Sequence, residues 1–129
     1  MKRSFFLFSS SFLVCIFLIG GCAQEKSAEP TPLDPFMQCL SDNGVKMYGS
    51  YTCSICAKQK KDIGPASRFL DEIECNPNAP GNQAEHCVEI DIQNTPTWIL
   101  EKESQEVERI EGYMKLEALA KLSGCSLPQ

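Results

Sequence analysis

Cys53-Ser54-Ile55-Cys56 stands between an apolar run, Val45 to Gly49, and a helix-like stretch, Ala57-Lys58-Gln59-Lys60-Lys61. Two cysteines one helical turn apart can close and open a disulfide between themselves, and so exchange electron pairs with other thiols. A helix leaves its first backbone N–H groups unpaired and carries positive potential at its start, so a sulfur placed there holds negative charge more readily than a free thiol. Cys53 is therefore the expected nucleophile. Cys56, deeper along the helix, is the expected resolving partner.

Positioning that pair takes an ordered set of elements. Pro35 to Leu40 carries apolar residues at helical spacing and stops at Ser41-Asp42-Asn43-Gly44, which predicts a short helix. Val45–Gly49 reads as a buried strand, and the motif helix runs from about Ser54 to Asp62, broken by Gly64-Pro65. A second strand is expected over Phe69–Cys75 and a second helix over Asn82–Val88. Pro96 to Leu100 is rich in β-formers and Val107 to Glu111 alternates, so the two predict an antiparallel hairpin across a charged turn without glycine. Met114, Leu116, Leu119, Ala120 and Leu122 mark an amphipathic last helix, closed at Ser123-Gly124. The resulting βαβαββα order predicts an α/β fold, a mixed four-stranded sheet with helices on both faces.

The start of the chain is a different kind of segment. Met1-Lys2-Arg3 precedes an apolar run from Phe5 to Ile19, interrupted at Ser9-Ser10-Ser11 and too short for the ~20 residues of a membrane span, so residues 1–21 read as an export signal. The sequence Ile19-Gly20-Gly21-Cys22 resembles a bacterial lipobox, which implies cleavage before Cys22 and lipid attached to it. Residues 22–35 are polar and contain Pro30 and Pro32, as suits a tether, and residues 36–129 form the expected domain. The protein is accordingly expected outside the cytoplasm, on a bacterial membrane.

The whole chain holds 12 Lys and Arg against 17 Asp and Glu; without Lys2 and Arg3 the net charge is −7, which argues against a nucleic-acid partner. Of eight cysteines, Cys15 leaves with the signal and Cys22 is assigned to lipid. If Cys53 pairs with Cys56, three pairings of Cys39, Cys75, Cys87 and Cys125 are open. Spacing favours a local Cys75–Cys87 staple across the Pro/Asn/Gly loop and a Cys39–Cys125 closure of the domain ends. These four are structural candidates. His86-Cys87 could complete a zinc set on paper, but there is no second Cys-x-x-Cys and the other cysteines are scattered, so neither metal nor cofactor is expected. Trp98 and Tyr48 read as core, and Lys58, Lys60 and Lys61 as a solvated face, Lys58 being a weak candidate for tuning the cysteine pair.

The element order, the Cys-x-x-Cys at the first strand-to-helix junction and Thr95-Pro96 before the third strand together resemble the thioredoxin superfamily. More narrowly, Phe36-Met37-Gln38-Cys39-Leu40, Gly44 to Gly49, Glu74-Cys75, Pro96-Thr97-Trp98 and Ser123-Gly124-Cys125 look like the thioredoxin-like domain fused to or partnered with bacterial vitamin K epoxide reductase homologues. That resemblance implies a thiol-disulfide oxidoreductase that oxidises exported proteins and is reoxidised by a quinone-linked membrane protein. It also implies a cis peptide before Pro96, with Thr95 and Pro96 offering backbone to a substrate strand.

The chain departs from those relatives in three places. They usually carry Trp before the first cysteine and Pro-His between the two, whereas this chain has Thr52 and Ser54-Ile55, which removes a cation from the pair and implies a less oxidising disulfide. Met47 stands near the place where thioredoxin keeps a buried Asp as a proton shuttle, and Asn94-Thr95 replaces Gly-Tyr. A reductase serving cytochrome maturation or thiol repair, or a non-enzymatic binding lipoprotein, would carry the same motif.

Overall fold

Val45–Gly49 forms β1, the strand through which the motif is held, and it lies inside a four-stranded sheet of order β2-β1-β3-β4. The computed structural model describes residues 29–129. In chain order the elements are α1 (Asp34–Asp42), β1, α2 (Ser54–Ile63), a 3-10 turn (Gly64–Phe69), β2 (Asp71–Glu74), α3 (Ala84–Glu89), β3 (Thr97–Lys102), β4 (Gln105–Glu111) and α4 (Leu116–Ser123). β1 runs parallel to β2 and antiparallel to β3, and β4 closes the far edge antiparallel to β3. The expected mixed sheet is present, preceded by the short first helix.

Alternation along the central strands sorts the core into two layers. Val45 and Met47 of β1 share a cluster with Trp98 and Leu100 of β3, to which they pair directly, and α1, α2 and α4 cover this face with Phe36, Met37, Leu40, Cys56, Ile63, Leu119 and Leu122. Tyr48, Ile73 and Ile99 point the other way and are covered by α3 through Cys87. Helices therefore flank both faces, with three on the side from which Cys56 is packed. Burial on two sides explains why β1 is read so clearly from sequence, since of its five positions only Lys46, ion-paired to Glu101, is partly open to water.

Gly44 ends α1's connection with φ +81°; its N–H donates to the Ser41 carbonyl at 2.9 Å and its own carbonyl accepts the Glu101 N–H of β3 at 2.8 Å. The β3–β4 hairpin turns at Glu103 and Ser104, both left-handed, as a two-residue turn needs to match the strands' twist. An irregularity after Leu100 leaves Val107 exposed on an otherwise charged edge strand.

Three expected boundaries shift. The chain does not go from α2 straight to a strand at Phe69: it continues through the 3-10 turn, so β2 spans only Asp71–Glu74 and Phe69 packs on the core from the end of the turn. Gly64 at φ +72° lets the backbone leave the α-helical path, and Pro65 is tolerated as the second residue of the new turn because its missing N–H is not needed there. The second helix starts at Ala84, not Asn82, because the Asn82 side chain accepts the Ala84 N–H and so precedes the helix. Folded structure also reaches back into the expected tether: Leu33 packs on the core and Asp34 accepts from Thr31 N–H at 3.0 Å. The export signal (1–21) and Cys22 lie outside the described residues. Among the described residues no helix is long and apolar enough to cross a membrane.

Candidate active site

Cys53 is the N-cap of α2. Its backbone is extended, φ −79° and ψ 112°, so its sulfur turns back over the helix start and accepts the Cys56 N–H at 3.0 Å. The side chain thus takes the place that Ser or Asp fills at most helix starts, satisfying one of the orphan donors with sulfur. A thiolate there gains both that hydrogen bond and the helix's positive end. Cys53 and Cys56 are bonded to each other, with Cα atoms 5.3 Å apart. Cys53 is half-buried, whereas Cys56 is fully buried in the core cluster that also holds Trp98. An attacking thiol can therefore reach one sulfur of the pair and not the other.

Thr95-Pro96 brings the opposite wall of the site. Its peptide bond is cis. The Thr95 carbonyl oxygen lies 3.3 Å from Cys53 Sγ. Pro96 is buried, and its carbonyl accepts the Gly112 N–H at 2.7 Å, fixing the segment to the end of β4. The Thr97 hydroxyl donates to the Asn94 carbonyl at 2.7 Å and the Asn94 amide donates to Glu111 at 2.8 Å, so the turn is tied on both sides. Among the described residues Thr95 N–H donates to no other group.

Sequence reasoning missed the residues that hold the loop before Cys53. Glu74, at the end of β2, accepts the Tyr51 N–H at 2.8 Å and the Asn76 N–H at 2.7 Å. The Asn76 amide in turn donates to Thr52 Oγ1 at 3.2 Å, and Thr52 N–H donates to Ser50 Oγ. The Tyr51–Glu74 and Thr52–Asn76 pairings join positions more than twenty residues apart, so no local pattern announces them. Tyr51 and Ile55, which flank Cys53 in the chain, are exposed.

The remaining candidates fall elsewhere. Cys39 is bonded to Cys125 and Cys75 to Cys87, with Cα atoms 6.1 and 5.7 Å apart. Lys58 is committed to Asp62 and lies 4.4 Å from the Tyr113 ring, so its charge is spent on that cluster and not on the cysteines. The Asp62 hydrogen bond holds the Lys58 ammonium above its ordinary pKa. His86 stands on the other face of the sheet, 3.5 Å from the Tyr48 hydroxyl, which itself donates to Glu101 at 3.0 Å. Burial first, and then Glu101, push the Tyr48 phenol upward, so it stays neutral. A groove of about 530 Å³ beside the Cys75–Cys87 bond shares no lining residue with the Cys53 site.

The order β2-β1-β3-β4, helices on both faces, the paired cysteines at the β1–α2 junction and the cis-proline facing them are the features that define one arrangement. The chain has a thioredoxin-like fold. It matches no protein-family profile. It is similar to thiol-disulfide oxidoreductase LTO1 of Arabidopsis thaliana, at 34% identity over 94 residues, which are 70% of this chain and 24% of the plant protein. The chain thus spans about a quarter of that relative's length. Among solved structures it resembles thioredoxin NaTrxh of Nicotiana alata (TM-score 0.48, 21% identity, 74% of this chain and 93% of that one). A thioredoxin from Aeropyrum pernix gives a TM-score of 0.49 at 19% identity, covering 75% and 84% of the two chains. Within the thioredoxin-like fold of this protein, the Cys53–Cys56 bond occupies the end of the sheet where β1 gives way to α2 and β3 begins.

Proposed function

We propose that this protein is a membrane-anchored, extracytoplasmic thiol-disulfide oxidoreductase that oxidises exported proteins through Cys53–Cys56 and returns its electrons to a quinone-linked, vitamin K epoxide reductase-like membrane partner. The observation that carries the reading is the half-buried Cys53 sulfur capping α2 while bonded to a fully buried Cys56. A client thiolate attacks Cys53 Sγ, the Cys53–Cys56 bond breaks, and Cys56 leaves as a thiolate that takes up a proton. The client's second thiol, on losing its proton, attacks the client sulfur of the mixed disulfide and expels Cys53 as a thiolate. Two electrons pass from client to enzyme, one proton ends on Cys56 while Cys53 remains a thiolate, the client's other proton goes to solvent, and the client gains one disulfide. The helix start stabilises Cys53 as the leaving group, which drives the second step.

Thr95 supports the substrate role through its uncommitted N–H and its carbonyl beside Cys53, which suit the addition of an extended client segment. The export signal and Cys22 of the sequence support the location, and the similarity to a plant thiol-disulfide oxidoreductase supports the chemistry. One observation favours the reductive direction instead: no cation stands between the two cysteines, since Ser54 and Ile55 occupy those positions.

The test is a Cys56→Ala variant expressed with its export signal. It is expected to accumulate mixed disulfides between Cys53 and exported proteins, visible as bands that collapse on reduction. Equilibration of the native pair with glutathione buffers then fixes the direction. Absence of any such adduct, with Cys53 reactive to small disulfides, would point to the binding lipoprotein.

A further inference from the structure

β1 and β2 run parallel and end together, Gly49 beside Glu74, so the loops that follow them leave the sheet at the same end. One loop leads to Cys53 and the other to Cys75, Asn76 and Pro77. They touch: the Asn76 amide donates to Thr52 Oγ1 at 3.2 Å and to Ser50 Oγ at 3.4 Å. From Pro77 the groove of about 530 Å³ runs along α3, past the Cys75–Cys87 bond, to Val88 and Ile92. Its near end therefore lies one loop away from Cys53, a span on the order of 10–15 Å that about three to five extended residues cover.

Apart from two carboxylates, the lining of this groove is apolar. Val88 is 79% exposed, a β-branched side chain facing water on a six-residue helix. Ile92 and Cys75 carry the apolar surface inward to the Tyr48 cluster. Glu85 and Glu89 stand four residues apart on α3, so they share a side of the helix, and both are exposed. Among the described residues neither forms an ion pair with Lys or Arg; Glu89 has His86 Nδ1 at 3.7 Å. Like charges at that spacing repel, and a cation placed over them removes the repulsion.

We propose that this groove docks the client segment beside the reacting cysteine, seating an apolar side chain against Val88 and Ile92 and a neighbouring Lys or Arg over Glu85 and Glu89. The proposal rests on the thiol-exchange reading above and adds a second point of contact, remote from the sulfurs. Charge selects this occupant. A second copy of the chain, at −7 without Lys2 and Arg3, would bring acid against acid, and residues 22–28 carry no large apolar side chain to insert. A basic, apolar segment matches both features of the groove. Two contacts joined by a few extended residues act as one linked site, so the docked client presents its thiol to Cys53 at a raised effective concentration. Clients with such a segment are thereby oxidised first.

The experiment mixes oxidised protein with reduced synthetic peptides, each holding a cysteine pair and, about four residues away, Leu-Lys-Lys, Leu-Glu-Glu or Ser-Lys-Lys. Trp98 fluorescence follows loss of the Cys53–Cys56 bond, since that indole packs in the cluster with Cys56. Every rate is divided by the rate with dithiothreitol, which is too small to reach from Cys53 to the groove. Leu-Lys-Lys is expected to react about tenfold faster than Ser-Lys-Lys, and about fivefold faster than Leu-Glu-Glu at low salt, the second ratio shrinking in high salt. Val88→Asn should collapse the first ratio and Glu85→Gln/Glu89→Gln the second. Equal normalised rates for all three peptides, or a native ratio in either variant, would overturn the proposal. A concentration-dependent dimer that Val88→Asn disperses, with no preference among the peptides, would overturn it in favour of a second copy. Protein that reacted neither with dithiothreitol nor with any peptide would overturn thiol exchange itself, a result distinct from equal rates.

Discussion

The Cys39–Cys125 bond ties α1 to the segment just past α4, and its removal gives a stability change that can be worked out in advance. It closes a sequence separation of 86, whereas Cys75–Cys87 closes only 12. In the chain-entropy treatment the first closure restrains the unfolded chain by about 4.5 kcal/mol at 25 °C and the second by about 3. Packing adds to the first, because Cys125 is buried and Cys39 lies against the same core. Asn43 also spans this seam, donating to the Ser123 carbonyl at 3.0 Å beside both sulfurs. A domain of this size has a total stability of roughly 5–15 kcal/mol, so the doubly substituted Cys39→Ala/Cys125→Ala protein is expected to stay folded only narrowly. Urea unfolding of native, Cys39→Ala/Cys125→Ala and Cys75→Ala/Cys87→Ala proteins, followed by far-UV circular dichroism without reductant, gives the comparison. The long closure should cost more than the short one, by about 1–2 kcal/mol. A loss below about 1 kcal/mol for Cys39→Ala/Cys125→Ala, or the reverse ranking, would refute the reasoning and leave the α1–α4 seam to packing alone.

Three further outcomes follow from other parts of the fold. Gly44→Ala puts a Cβ into the Glu101 carbonyl and forces a left-handed φ on alanine; the urea midpoint should report a loss of about 3 kcal/mol, and a loss under about 1 would contradict the geometry. Gln59 is buried and bridges to Met114, donating to its carbonyl at 2.9 Å and accepting its N–H at 2.8 Å; Gln59→Leu strands both groups at a cost of about 2–4 kcal/mol, with faster hydrogen exchange at the Met114 amide as the direct check. The third concerns acid. Hydrogen bonds from Lys58 and then Tyr113 hold Asp62 below the usual carboxylate range, and Arg109 does the same for Glu106. At Asp34 burial opposes, but Thr31 and Arg68 outweigh it. Because the folded state favours these anions, their contribution is complete above the ordinary carboxylate pKa and is lost as pH falls below about 4. Asp62 and Glu106 are exposed and Asp34 is half-buried, so the fall in Tm should be small and weaker in high salt; a Tm flat down to about pH 3 would contradict it.

What sequence shows well here is whatever is decided locally. β1 is buried at every position but Lys46, the cysteine spacing is one helical turn, and Gly124 closes α4 in the left-handed conformation such caps favour. Thr95-Pro96 is a two-residue signal. The second strand was harder, because Phe69 and Leu70 carry the apolarity of a strand yet are used from a 3-10 turn that packs on the core, a tertiary choice with no periodicity of its own. The supports of the site were hidden for a related reason. Glu74 and Asn76 meet the Cys53 loop across the sheet, and Glu72 meets Lys60 from a different element; each reads alone as an ordinary surface polar residue. Lys58 shows the converse, since its nearness to Cys56 in sequence is no guide to where its charge is spent.

Thiol exchange at this site depends most on Cys53 being acidified by the start of α2. The rate of alkylation by iodoacetamide, measured against pH on mildly reduced protein with labelled sites assigned by mass spectrometry, measures this directly. Cys53 is expected to label first, with an apparent pKa well below the ~8.5 of a free cysteine, while buried Cys56 labels poorly. A Cys53 that ionises like free cysteine and labels no faster than Cys56 would contradict the account at its centre.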